Sequence, residues 1–489
     1  MSEKDKAKFT RRAFLKGTLA VGGALAVGGI GLKWHFNCVN RNFDPARTNA
    51  LLNGIRACKN PDELPNIIII FVDDLGYGDL GCYGSGAVKT PVLDRMAEQG
   101  VRMTNFYASS PICSPSRAGL LTGRYPIRSH VAMPYYSSSS LMSKAMVVIG
   151  QYPYGVTGIP EDEVLLPELL KKRGYKTALT GKWHLGDRSP HLPNENGFDF
   201  FYGSLFSNDM SPFNIYRNRE IEIRTPVDQN FLTKNTTREA IRFIRENISS
   251  PFFLYMAPNM PHEPMHASDE FRARSSGGLY GDAVEEIDFS VSEILNTLKE
   301  LGLDKKTLVV FSSDNGPWWQ GSAGFTRGRK NSPLEGGFRV PFIARWPGVI
   351  PEGRISNEMS MNFDLFATCL EIAGIPLPND RIIDGENILP VLINEAPSPH
   401  DTLYFYREGN LEGMRHKNWK YLRRHRSDNG AFPLFYQGPF LFNLDIDPNE
   451  SYSLIESRPQ IAKNLENMMN SWDKEMEENV RGWINHGGS

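Results

Sequence analysis

Cysteine is scarce in this sequence, with five among 489 residues. So few thiols cannot staple a chain of this length, which excludes a disulfide-built scaffold, and an odd number leaves at least one unpaired. A surplus of either charge is also lacking. Lysines and arginines number 54 against 56 aspartates and glutamates, a formal charge of −2. The clustered basic excess with which nucleic-acid binders neutralise phosphates is therefore missing, and no nucleic-acid partner is expected. Internal repeats and long low-complexity tracts are absent too. What is present suits a large globular chain. Apolar residues make up 40% and aromatics 11%, enough for a sizeable core and too much for wholesale disorder. The length allows one large α/β domain with a smaller companion, or about three average domains.

The amino terminus reads as an address. Thr-Arg-Arg-Ala-Phe-Leu-Lys at Thr10–Lys16 precedes an uncharged Gly/Ala/Val/Leu-rich run from Gly17 to Leu32. A basic segment before a short apolar one is an export signal, too short for a comfortable membrane-spanning helix. It resembles a twin-arginine signal, which implies the twin-arginine export machinery as a partner and a periplasmic or extracellular destination. The only Ala-x-Ala, Ala24-Leu25-Ala26, lies inside the apolar run and Cys38 has no convincing lipobox. Cleavage, or anchoring by an uncleaved signal, stays open. The expected division is residues 1–37 as signal, 62–400 as the main α/β domain and 401–489 as a small α+β subdomain.

Downstream, apolar runs repeatedly end in polar chemistry. Asn66–Val72 is a continuous apolar run, as expected of a strand buried on both faces, and it leads into Asp73-Asp74. Strands are expected at Lys176–Thr180, Pro251–Ala257 and Thr307–Ser312, and helices at Pro91–Gln99, Leu165–Arg173, Arg238–Glu246 and Val284–Leu301. Alternating strands and helices predict a mostly parallel central sheet with helices on both faces. Ligands bind such sheets beyond the carboxyl ends of the strands. Four strands here end in Asp73-Asp74, Lys182-Trp183-His184, Pro261-His262 and Asp314-Asn315, so an active site is expected along one edge. Past Pro397 shorter strands are expected at Leu403–Arg407, Trp419–Arg423 and Leu441–Leu444, then a helix near Pro459–Glu478.

Asp73, Asp74, Asp314 and Asn315 offer only oxygen ligands, which suit Ca²⁺ or Mg²⁺ rather than structural zinc. Each pair alone is an ordinary turn sequence. Two such pairs after buried strands favour a metal site, because carboxylates aimed into one pocket repel each other. Cys113 is expected just before a helix, with Ser114 as N-cap, Pro115 at the first helical position and Gly123 closing the helix. Arg117, one turn on, could add a fixed positive charge. A low-pKa nucleophilic thiol and an inert buried cysteine both fit, and spacing does not choose between them.

The segment Cys113-Ser-Pro-Ser-Arg-Ala-Gly-Leu-Leu-Thr-Gly-Arg124 resembles the Cys-x-Pro-Ser-Arg…Thr-Gly-Arg signature of type I sulfatases. Gly174-Tyr-Lys-Thr…Gly181-Lys-Trp-His184 resembles their second signature, and the Asp-Asp, Pro-His, Asp-Asn and Lys330-Asn-Ser-Pro-Leu-Glu335-Gly-Gly segments follow in family order. The resemblance runs from about Pro65 to the carboxyl terminus. It is nearest the arylsulfatase A and N-acetylgalactosamine-6-sulfatase branch and implies an alkaline-phosphatase-like α/β fold. It also implies that Cys113 is oxidised to formylglycine (3-oxoalanine) by a formylglycine-generating enzyme. Its hydrate would join Asp73, Asp74, Asp314 and Asn315 in holding Ca²⁺, with Mg²⁺ as the alternative, and would attack sulfur. Arg117 matches the residue that holds the hydrate, and Lys182 and Lys330 match the pair gripping sulfate oxygens. His262 matches the residue protonating the leaving alcohol, alone or shared with Lys182, and His184 the base assisting sulfate release. Ser207, in Phe206-Ser207-Asn208-Asp209, matches a serine touching sulfate. The implied activity is hydrolysis of sulfate monoesters on glycans or small aryl compounds. A formylglycine-dependent phosphonate monoester or phosphodiester hydrolase is the alternative. Trp318-Trp319 is equally compatible with a stacking platform and with core packing.

Overall fold

The computed structural model describes residues 43–138, 140, 158–426 and 436–484. The expected export segment and Cys38 lie outside the described residues. A ten-stranded sheet forms the frame: β1 Asn66–Val72, β2 Val101–Met103, β3 Lys176–Lys182, β4 Phe200–Ser204, β5 Ile215–Arg217, β6 Glu220–Ile223, β7 Phe252–Ala257, β8 Thr307–Ser313, β9 Phe342–Arg345 and β10 Arg354–Ser356. Its order is β10-β2-β9-β8-β1-β7-β3-β4-β5-β6. The central strands β8, β1, β7, β3 and β4 are parallel, while β9 and β5 run against their inner neighbours.

β1 occupies the middle because every one of its residues is buried. Alternate side chains serve two separate cores. Ile67, Ile69 and Phe71 pack with the helices α2 (Cys113–Thr122), α3 (Leu166–Arg173) and α6 (Asp364–Ala373). Ile68, Ile70 and Val72 pack with α1 (Pro91–Glu98), α4 (Leu232–Glu246) and α5 (Gly278–Glu300) on the opposite face. Each such fully buried side chain contributes about 1.5–3 kcal/mol, so the helix-covered parallel sheet is also where most of the apolar burial lies.

Two helices begin earlier than their sequence suggests. Thr-Lys-Asn-Thr-Thr has poor helix propensity, which is why α4 looked to start at Arg238. Tertiary packing overrides it: Leu232, Thr233, Thr236 and Thr237 are buried, and the Thr237 hydroxyl donates to the Thr233 carbonyl at 2.8 Å. α5 begins at Gly278 rather than Val284, drawn forward by burial of Tyr280 and Ala283.

The carboxyl-terminal part builds a four-stranded antiparallel sheet, β11 Thr402–Arg407, β12 Asn410–His416, β13 Trp419–Leu422 and β14 Phe440–Asn443, in that order. α7 (Pro459–Asn479) covers it, burying Leu465 and Met469 against Phe405, Met414 and Tyr421. β12 was not anticipated. Its signal is the two-residue turn Glu408-Gly409, both at positive φ (51° and 78°), the backbone that closes a tight hairpin. Cys58, Cys82, Cys113 and Cys369 are free thiols. Among the described residues no helix is long and apolar enough to cross a membrane.

Candidate active site

Register brings the strand endings together. Val72 pairs with Ser313, so Asp73 and Asp314 emerge side by side, and Gly181 pairs with Ala257. Asp74 takes φ +62°, a left-handed backbone that aspartate tolerates, and its N–H donates to Asp314 Oδ1 at 3.2 Å. Cys113 enters from the other core. It is the first residue of α2, and the residue before the helix is the extended Ile112 (φ −143°, ψ 145°). This corrects the expected cap: the Ser114 hydroxyl accepts from Tyr135 N–H at 3.2 Å instead of capping the helix. Gly123, at φ +70°, closes it as expected. Arg117, four residues along the helix, shares the Cys113 face.

Around the Cys113 thiol lie Asp73 Oδ1 at 3.3 Å, Asp74 Oδ1 at 3.9 Å and Lys330 Nζ at 3.2 Å. Lys182 Nζ donates to Asp73 Oδ2 at 2.6 Å and to Ser207 Oγ at 2.5 Å. Lys330 Nζ also donates to Asp74 at 2.7 and 2.9 Å. His262 Nε2 stands 3.8 Å from Asp74 Oδ2, while its Nδ1 faces two acceptors, Glu263 O at 2.6 Å and Asn208 Oδ1 at 3.1 Å. Those acceptors assign the Nδ1 proton and leave Nε2 toward the carboxylates. His184 Nε2 donates to the Tyr135 carbonyl at 2.9 Å, so in the neutral ring Nδ1 is the basic atom, and it is buried without a hydrogen-bond partner.

Electrostatics follow from this crowding. Burial raises the Asp73 carboxyl, but Lys182, His262, Arg117 and Lys330 outweigh it and hold the group well below the usual carboxylate range. Asp314 is pushed up to about 7 by burial and by the Asp73 charge, against Arg117 and Lys182. Burial and Lys182 push His184 well below the ordinary histidine range, keeping it neutral. Burial, reinforced by Asp73, raises the Cys113 thiol far above its ordinary value, so a low-pKa thiolate is disfavoured.

The donor set fits a hard divalent cation. Asp73, Asp74, Asp314 and Cys113 present ligand atoms all within 4.8 Å of one another. Beside them Asn315 Oδ1 is buried without a hydrogen-bond partner, although Asn315 Nδ2 donates to Asp74 Oδ1 at 2.8 Å. An orphaned carbonyl oxygen among three carboxylates is an arrangement a cation completes.

Asn208 and the Tyr135 carbonyl were missed in the sequence. Asn208 lay within a short motif read only for its serine, and a backbone carbonyl leaves no sequence signal. His266 and His416 bond Asn230 and Thr402, and His130 is half-buried with its ring edge-on to Phe43. Trp319 is 49% exposed, with Trp318 edge-on at 6.2 Å and Arg329 over its ring, so the pair is not core.

The parallel sheet, covered on both faces and carrying its polar cluster beyond the strand ends, is that of the alkaline-phosphatase-like hydrolases. The sulfatase family model matches residues 65–375, and the model for the N-sulphoglucosamine sulphohydrolase carboxyl-terminal region matches 329–478. N-acetylgalactosamine-6-sulfatase of Rattus norvegicus is 42% identical over 381 residues, spanning 73% of this chain and 70% of that one. An arylsulfatase of Hemicentrotus pulcherrimus is 34% identical over 441 residues, covering 80% and 77%. Among solved structures, the PsFucS1 sulfatase from Pseudoalteromonas sp. superposes with a TM-score of 0.76 at 26% identity, covering 90% and 96%. The chain belongs to the sulfatase family and is a sulfuric ester hydrolase.

Proposed function

We propose that this sulfatase hydrolyses sulfate monoesters of glycans or small aryl compounds with formylglycine at position 113 and a divalent cation held by Asp73, Asp74, Asp314, Asn315 and residue 113. The observation that carries the reading is the Cys113 side chain, seated at the start of α2 with Asp73 at 3.3 Å and Lys330 at 3.2 Å. The hydrated aldehyde supplies a nucleophile and a route for sulfate to leave afterwards, and Ca²⁺, or Mg²⁺ in its place, supplies Lewis-acid polarisation.

The chain's own residues do the rest. Arg117 fixes Asp314 and neutralises charge beside residue 113. Lys182 and Lys330 grip the ester's sulfate oxygens, with Ser207 orienting Lys182 and contacting sulfate. His262 delivers a proton from Nε2 to the leaving oxygen when its ring enters the reaction doubly protonated, and it is left as the neutral Nδ1–H ring, aligned by Asn208 and Glu263 O. His184, neutral and with Nδ1 unengaged, takes the proton that frees sulfate. Three cationic side chains already balance three carboxylates here, so a divalent cation leaves the positive excess an anionic ester requires.

This reading divides the chain into a catalytic domain at 62–400 and a carboxyl-terminal subdomain at 401–489. It includes maturation by a formylglycine-generating enzyme and, from residues 1–37, twin-arginine export to the periplasm or beyond, with anchoring by an uncleaved signal as the alternative. Peptide mass spectrometry across Cys113, on protein from a host with that maturation system, tests it. An aldehyde or its hydrate is expected; an unmodified thiol in active enzyme defeats the reading. Parallel assays on 4-nitrophenyl sulfate and bis(4-nitrophenyl) phosphate separate a sulfatase from a phosphodiester hydrolase.

A further inference from the structure

Lys330 sits on a segment held at both ends by Glu450, just past the carboxyl-terminal sheet. At one end, Arg327 Nη1 donates to the Glu450 carbonyl at 3.1 Å. At the other, Glu335 N–H donates to Glu450 Oε2 at 2.6 Å. Between them Leu334 is buried among Leu422, Phe442 and Leu444, all from that sheet or just beyond it. The centre of this grip is Lys420, on β13 and fully buried, whose Nζ lies 2.9 Å from Glu335 Oε1 and 3.0 Å from Glu450 Oε1. Glu335 Oε2 in turn accepts from Tyr107 OH at 2.7 Å. Burial would raise Glu335, but Lys420, Arg339 and Arg415 bring it down to about 2, so it stays charged.

The same segment faces the cluster of site residues. Lys330 N–H donates to Pro317 O at 2.9 Å, Asn331 N–H to Pro111 O at 2.9 Å, and Gly316 N–H to Gly337 O at 3.0 Å. Gly316 approaches so closely that a Cβ there would lie 1.8 Å from Gly336 O. A shift of Glu335 would therefore be passed to Lys330 and to the strand end carrying Asp314 and Asn315. Lys420 is the cation shared by two buried glutamates, with Arg339 Nη1 3.6 Å from the other Glu335 oxygen, so removing Lys420 takes the nearest counter-charge from both where no solvent can replace it.

We propose that Lys420, acting with Glu450, is a positioning residue for Lys330: the carboxyl-terminal sheet completes the active site by fixing the segment that carries it. This rests on the reading of Lys330 as a sulfate-gripping cation. Turnover of 4-nitrophenyl sulfate by the wild-type enzyme, with a fall of about 100-fold or more in Lys330→Ala, tests that underlying reading separately.

The discriminating experiment is a double-mutant cycle of Lys420→Met with Lys330→Ala, with formylglycine content checked in each variant. In the wild-type background Lys420→Met is expected to lower kcat/KM by about 10- to 100-fold, the range seen for outer partners of site ligands. In the Lys330→Ala background the further loss is expected to stay within about twofold. Equal losses in both backgrounds, or none in the first, overturn the proposal, since a merely structural role weakens both alike. If Lys420→Met does not fold, Glu450→Gln enters the same cycle under the same criterion. If Lys330→Ala turns over too slowly to measure, the cycle is read as calorimetric affinity for inorganic sulfate.

Discussion

Arg117 gives two N–H groups, Nε at 3.0 Å and Nη2 at 2.8 Å, to a single oxygen of Asp314. The other Asp314 oxygen accepts from the Asp74 backbone at 3.2 Å. A third guanidinium N–H, from Nη1, reaches the Lys182 carbonyl at 3.2 Å. One buried side chain thus ties the ends of β8 and β3 together and places its charge beside Cys113. The planar fork makes this tie, and an ammonium could reach only part of it.

Arg117→Met should therefore cost both stability and turnover. It leaves Asp314 buried with its main counter-charge gone, a loss of about 3–5 kcal/mol. Turnover of 4-nitrophenyl sulfate should fall by about 100-fold or more, as when a preorganised charge donor is removed. Arg117→Lys should recover part of the stability and little of the rate. Urea unfolding read beside steady-state kinetics checks both, and an unfolding midpoint equal to the wild-type value for Arg117→Met would defeat the argument.

The proposed proton delivery by His262 predicts a dependence on leaving group. 4-Nitrophenolate departs without a proton, whereas a sugar alkoxide does not. His262→Ala should then lower kcat/KM on a sugar sulfate by about 10²–10⁴-fold, the usual contribution of a positioned acid. The loss on 4-nitrophenyl sulfate should be much smaller. Equal losses on both substrates would mean that His262 binds sulfate and delivers no proton.

How far the sequence carried depended on the range of the interactions involved. β1 was legible because all its residues are buried, so Ile67 to Val72 form an unbroken apolar run. The ends of α4 and α5 were not, because Leu232 and Tyr280 are drawn into helix by residues distant in sequence. The strand-end residues were legible from the polar pairs that follow apolar runs, and register then sets Asp73 beside Asp314. The cap at Cys113 was misassigned to Ser114, whose hydroxyl meets Tyr135 across a loop that sequence does not fold back. Lys420 was invisible for the same reason: its partner Glu335 is 85 positions away in the chain.

His400 supplies a test of stability at a residue with no part in the proposed chemistry. Its Nε2 lies 2.7 Å from Asp364 Oδ1, while Asp364, the first residue of α6, also accepts from the Met361 and Glu386 N–H groups. Burial would lower the His400 pKa, but the Asp364 charge and hydrogen bond outweigh it and raise the value. A histidine with a raised folded-state pKa stabilises the fold fully below its unfolded pKa, about 6.5, and loses that contribution as pH climbs through the folded value. The Tm gap between wild type and His400→Gln should therefore be widest below about pH 6 and close as the solution becomes alkaline. Added salt should narrow it only slightly, because the pair is largely shielded from solvent. Thermal melts of both proteins across that range decide the matter: a gap that stays constant with pH would mean that His400 acts through packing against Phe363 rather than through its charge.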